Sequence, residues 1–128
     1  MTTPIIETMA QEVGEGGSAL LTFTLVTETG VPVTLAQLGT LTLKLYNKAD
    51  LAIINGKNGT DIKNANGGTV HSTLGTCSLV LLPADNPIVD ATRRVETHVA
   101  LIRGTYNGGV GIVPKAVQIK VRNLALVP

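Results

Sequence analysis

The 128 residues are 44% hydrophobic and 2% aromatic, without tryptophan, and 15% charged, with ten basic side chains against nine acidic ones. A chain this long buries a core without covalent staples, and its near-neutral balance speaks against a nucleic-acid binder, which gathers Lys and Arg on one face. Cys77 is the single cysteine, so no internal disulfide forms, and the core is left to Leu, Val, Ile and Ala.

The first segment, Met1–Val13, is loosely patterned, with Ile5, Ile6, Met9 and Val13 as its apolar residues. It reads as an edge strand or partly extended arm ahead of one domain over 14–128. Met-Thr-Thr-Pro carries no basic-then-apolar leader, and no apolar run reaches membrane-spanning length, so a soluble chain made in a reducing cytoplasm is expected. Gly14-Glu15-Gly16-Gly17-Ser18 then breaks the chain. A phosphate-binding loop opens a helix, whereas the residues that follow alternate with period two.

In Ala19 to Val26, Leu21, Phe23 and Leu25 fall on one side and Leu20, Thr22, Thr24 and Val26 on the other. In Thr40 to Tyr46, Leu41, Leu43 and Leu45 alternate with Thr40, Thr42, Lys44 and Tyr46. Successive strand side chains point to opposite faces, so both runs are strands with one oily face that an opposing layer must cover. Gly30 and Pro32 mark a turn between them. From Asn47 to Ser72, Asn55-Gly56, Asn58-Gly59 and Asn66-Gly67-Gly68 mark tight turns around short strands at Leu51–Ile54 and Thr60–Ile62, a mobile excursion with little share in the core. Asn58-Gly59-Thr60 matches a glycosylation acceptor, which without a secretory signal is read as a turn.

Thr76 to Leu82 returns to the core through Cys77, Leu79 and Leu81, with Cys77 as a small buried hydrophobe. Asp85, Asn86 and Asp90 fall short of a calcium loop, which needs more oxygen ligands and a terminal Glu. Arg93 to Arg103 is the longest strand candidate: Val95, Thr97, Val99 and Leu101 form its oily face, and Arg94, Glu96, His98, Ala100 and Ile102 its wet one. His98 is thus a surface residue, and His71 lies too far along the chain for a metal set with it. Lys115 to Arg122 closes the pattern through Val117, Ile119 and Val121, and Leu124, Leu126 and Val127 end the chain. Seven or eight short strands separated by turns predict an all-β sandwich.

The charges are unevenly placed. Up to Leu43 the acidic residues are Glu7, Glu12, Glu15 and Glu28, while Arg93, Arg94, Arg103, Lys115, Lys120 and Arg122 follow Ala91, opposed by Glu96. Two readings stand: first and last strands are neighbours and offset each other, or copies meet head to tail.

The run Ala-Leu-Leu-Thr-Phe-Thr-Leu, Glu-Thr-Gly-Val-Pro-Val-Thr-Leu, Thr-Leu-Thr-Leu-Lys-Leu-Tyr-Asn, Cys-Ser-Leu-Val-Leu-Leu-Pro-Ala-Asp and Val-Gln-Ile-Lys-Val resembles the immunoglobulin-like domain at the N-terminus of tailed-bacteriophage baseplate upper proteins and related virion modules. The likeness covers Ile5 to Arg122. It implies an immunoglobulin-like β-sandwich of seven to eight antiparallel strands and a structural adaptor located in the virion, assembled in the bacterial cytoplasm. The chain stops at Pro128 with no fibre part attached, which favours a freestanding capsid decoration or cement protein over a tail or baseplate accessory. Partners are then other virion proteins, major capsid or tail, with self-association into trimers or other oligomers as a further option, and no nucleic acid, membrane, cofactor or metal. The candidate partner-binding residues are Ile5, Ile6, Met9 and Val13 of the arm, Arg93, Arg94, Lys120 and Arg122 of the basic half, and Leu124 and Leu126 of the tail. A carbohydrate-binding adhesion module is the second reading, poorly supplied with aromatic platforms. An enzyme is disfavoured, since neither histidine is patterned with a nucleophile and a carboxylate.

Overall fold

The computed structural model describes residues 5–8, by their backbone, and 12–126. In chain order the strands are β1 (Ile5–Thr8), β2 (Val13–Gly14), β3 (Ala19–Thr24), β4 (Leu38–Asn47), β5 (Ile53–Asp61), β6 (Gly68–Val70), β7 (Thr76–Leu81), β8 (Val95–Tyr106), β9 (Val110–Gly111) and β10 (Lys115–Arg122). Two single 3-10 turns, Pro83–Asp85 and Leu124–Leu126, are the only helical pieces among the described residues. The large sheet runs β1-β10-β8-β4-β5, with β2 also on β10 and β9 folded back on β8; the small sheet runs β3-β7-β6. The two are stacked in a sandwich-like arrangement.

The alternation sets the core. Leu21, Phe23 and Leu25, Leu41, Leu43 and Leu45, Cys77, Leu79 and Leu81, and Val117, Ile119 and Val121 all join one buried cluster. Each leucine taken fully out of water there contributes about 2 kcal/mol. The chain crosses between sheets after β3, where Val26 bridges Pro32 and Val33 is buried, and again after β7 through the Pro83–Asp85 turn.

Three features differ from the sequence reading. The strands number ten segments among the described residues, and they are not all antiparallel: β1 and β2 both run parallel to β10, with Ile5 opposite Lys115 and Val13 opposite Val121. The boundary placed at Gly14 therefore falls inside β2. The segment after Asn47 is no loose excursion, because β5 spans nine residues along β4, and Ile54 within it and Ile62 just after it join the core. Its Asn-Gly pairs are bulges within the strand. Register shifts flank Lys44, opposite Asn58, and Asn55, Gly56 and Gly59 hold positive φ to take up the extra residues.

The third difference is the phase of β8. Ala100 and Ile102 are fully buried, and Glu96 and His98, assigned to a wet face, are 2% and 1% exposed. Register decides this. Ile102 stands opposite Leu43 and Ala100 opposite Leu45 and Val117, so the inward rows of β4 and β10 fix which side of β8 faces in. The strand is amphipathic in both phases, and two polar residues tolerated inside by mutual pairing reversed the apparent contrast.

Candidate functional site

The polar residues inside the sandwich are the first place to look for chemistry. Glu96 accepts hydrogen bonds from the backbone N–H of Val89 at 2.8 Å and of Asp90 at 2.5 Å, and its Oε1 lies 2.9 Å from His98 Nε2. Burial alone raises a carboxyl pKa, yet these donors together outweigh it and hold Glu96 below its ordinary value. Asp85 repeats the pattern. Burial opposes ionisation, but Asn55 Nδ2 at 2.8 Å, Lys57 Nζ at 3.0 Å and the Leu82 N–H at 2.9 Å prevail and keep it low. Asn123 Nδ2 donates to the carbonyls of Ala91 and Arg93, and Asn86 Nδ2 to that of Gly17. All four side chains tie down the connection from β7 to β8. Carboxylates engaged by three partners each hold these loops in place.

Cys77 is buried, and burial pushes its thiol up to about 11. The thiolate that does nucleophilic work is thereby suppressed. Among the described residues, no group of three or more His, Cys, Asp and Glu side chains is placed to hold a metal ion.

The outer face of the large sheet is more informative. Its register sets Thr42 beside Arg103, then Lys44 beside Leu101 and Ala116, then Tyr46 beside Val99 and Gln118. Thr97 stands opposite Lys120, and Val95 opposite Arg122, while Lys48 N–H donates to the Thr97 carbonyl beyond the end of β4. No outward position of β4, β8 or β10 carries an acidic side chain. Lys48, Arg103 and Lys120 form no ion pair among the described residues, and Lys44 Nζ lies 5.6 Å from the Tyr46 ring centroid. Two depressions flank this face. One of about 170 Å³ opens at the Gly59 bulge between Lys44 and Arg103; another of about 370 Å³ is walled by Lys48, Ala49, Arg93, Val95 and Thr97.

The residues singled out from sequence are distributed unevenly around this face. Lys120 and Arg122 lie on it, exposed, and Arg122 is paired with Glu12 at 2.7 and 2.8 Å. That pair supports the neighbouring-strand reading of the charge asymmetry. Arg93 lines the larger depression and meets Asp90 at 3.6 Å, and Arg94 is exposed just before β8. Ile5 and Ile6 belong to β1, beside β10, and Met9 lies outside the described residues. Val13 is buried in the core at 7% exposure. Leu124 and Leu126 are exposed in the last 3-10 turn, near Glu15, which accepts the Leu124 N–H. Lys44, Tyr46, Lys48 and Arg103 were missed. Lys44 and Tyr46 were already legible as outward positions of a well-phased strand; Arg103 was hidden by the misread phase of β8.

Comparison with protein-family models, with curated proteins and with solved structures finds no match for this chain.

Proposed function

We propose that this chain is a structural protein of a tailed-bacteriophage virion, an immunoglobulin-like domain that decorates the particle by docking an acidic surface of assembled subunits against the outer face of its large sheet. The strand order supports the immunoglobulin-like part. A β3-β7-β6 sheet facing β10-β8-β4-β5 matches a B-E-D sheet facing G-F-C plus an added C′ strand, although the tryptophan and the disulfide of antibody domains are missing. One observation carries the docking part: Lys44, Lys48, Arg103 and Lys120 share a face whose central strands β10, β8 and β4 present no acidic side chain outward, with Asp61 opposite Thr42 on the edge strand β5 as a carboxylate at its margin. Cations left without partners on a rigid sheet steer and orient an acidic counterpart more than they add raw affinity. Binding the assembled state better than free subunits stabilises the particle by mass action.

The test is to identify this chain in purified particles by mass spectrometry, place it by antibody-labelled electron microscopy, and measure rebinding to stripped particles against salt. Saturable rebinding that weakens steeply between low and moderate ionic strength is expected. Particles that lack the chain, or rebinding indifferent to salt, overturn the assignment. A tail or baseplate seat instead of a capsid one is read directly from the micrographs.

One observation favours the glycan-binding alternative. A cleft of about 370 Å³ lies between the turn at Thr27–Pro32 and the β8–β9 hairpin, lined by Gln37, Tyr106 and Asn107. It offers a single aromatic ring and two amides, and a glycan array with the intact chain decides whether that suffices.

A further inference from the structure

We propose that the free edge of the small sheet is a self-association site, where β3 pairs antiparallel with β3 of a second copy of this chain about a two-fold axis at Thr22. Among the described residues, the backbone of β3 has one neighbouring strand, β7. Val80 N–H bonds to the Gly67 carbonyl and His71 N–H to the Thr76 carbonyl, so the even-numbered residues of β7 bond toward β6 and the odd-numbered ones toward β3. Their partners are Ala19, Leu21 and Phe23, and Leu25 N–H continues the series to the Gly75 carbonyl. The N–H and C=O groups of Leu20, Thr22 and Thr24 therefore point away from the sheet, where no strand lies among the described residues.

The other sheet edges in the described residues are blunted. The edge strand β5 is bulged twice, β6 has three residues and β2 two, and β1 has four, with the charged residue Glu7 among them. The six residues of β3, Ala-Leu-Leu-Thr-Phe-Thr, hold no charge, proline or bulge, the devices by which an edge is protected from pairing. Beside it one end of the outer face is apolar and accessible: Leu20 and Val80 stand opposite each other at 61% and 38% exposure, with Leu82 next in line at 55%, while the rest is Thr and Ser.

Charge selects the occupant. From Ala19 to Thr24 and from Thr76 to Leu82 the small sheet is uncharged, so a second copy meets no like-charge repulsion there. The cationic outer face of the large sheet repels itself and suits a different partner. An isologous contact requires that each residue meet its symmetry mate or an exchanged pair. Centring on Thr22 satisfies this: Thr22 meets Thr22 of the second copy, and Leu20 and Thr24 exchange. All are outward-bonding positions, so each pair closes both of its backbone hydrogen bonds. The result is one continuous sheet through both copies.

Sedimentation equilibrium of the full chain over a wide concentration range tests this. A monomer–dimer equilibrium indifferent to salt is expected. Thr22→Lys places two ammonium groups face to face across the axis and weakens the dimer at least tenfold, and Thr22→Asp does the same with carboxylates. Mixing the two variants restores association through opposite charges in register. Thr22 is exposed, so both variants keep the fold, which circular dichroism checks; Leu20→Lys, also exposed, serves as a second disruption outside the axis. A wild-type chain that stays monomeric throughout, including one that instead captures an unrelated extended peptide at this edge, overturns the proposal. So does a dimer that Thr22→Lys leaves intact, or variants whose mixture fails to reassociate.

Discussion

The two sheets share one core and differ in where they carry charge. The small sheet has none on its strands: its inner rows are Ala19, Leu21, Phe23, Cys77, Leu79 and Leu81, and its outer rows Leu20, Thr22, Thr24, Thr76, Ser78 and Val80. The large sheet carries charge on both sides, with Glu96 buried within, hydrogen-bonded to His98, and Lys44, Arg103, Lys120 and Arg122 outside. Hydrophobic burial is blind to pH and only weakly sensitive to moderate salt, whereas paired carboxylates and unpaired cations respond to both. One half of the domain should therefore behave as an inert slab and the other as the responsive surface.

The largest expected effect lies in the inert half. Leu79→Ala removes a fully buried side chain and leaves a cavity in the core, at a cost of about 2 to 5 kcal/mol. Denaturant titration at pH 7 and at pH 4 should return the same difference. A loss that changes with pH would break the division between the sheets. Next comes Glu96→Gln, which exchanges one of two accepting oxygens for a donor, so that a loop N–H from Val89 or Asp90 loses its partner. Leaving one buried donor unpaired costs about 1 to 3 kcal/mol.

The acid limb follows from the same residues. Glu96 and Asp85 both ionise below their ordinary values in the folded chain. The unfolded chain then binds more protons at low pH, so their stabilisation is complete above about pH 5 and is lost as pH falls through the folded values. Thermal unfolding midpoints should fall below pH 5 in the wild type and fall less steeply in Glu96→Gln. A parallel acid limb in the variant would show that Glu96 has no part in it.

That responsive interior is also where the sequence misled. The β3, β4, β7 and β10 faces were legible because each has three apolar residues in one phase and mostly polar or small ones in the other, Leu20 and Val80 being the exceptions. In β8 both phases contain valine, leucine or isoleucine, and pairing of Glu96 with His98 and two loop N–H groups removes the cost that makes a glutamate look exposed. Single-strand alternation carries no knowledge of such partners, since Val89 and Asp90 approach only once the chain has crossed between sheets. The same limit applies to β5. Its Asn-Gly pairs have the chemistry of tight turns, and only the continuous neighbour β4 makes them bulges in one strand. The cationic face lay beyond reach for a related reason: it is assembled from three strands, β4, β8 and β10, that are neighbours in the sheet but far apart in the chain, with β5, β6 and β7 between the first two.

The smallest expected effect on stability is also the most discriminating for function. Lys44→Glu with Lys120→Glu alters two exposed side chains without ion pairs among the described residues, so the unfolding free energy should stay within about 0.5 kcal/mol of wild type. Rebinding to stripped particles should weaken by about tenfold or more, chiefly through slower association, because rim charges act on encounter. The β3-mediated self-association should be unchanged, since neither residue lies on the small sheet. Loss of rebinding with dimerisation intact would separate the two faces as independent contacts. Loss of both together would mean that the particle recognises a dimer, and that the neutral sheet sets the geometry in which the charged one docks.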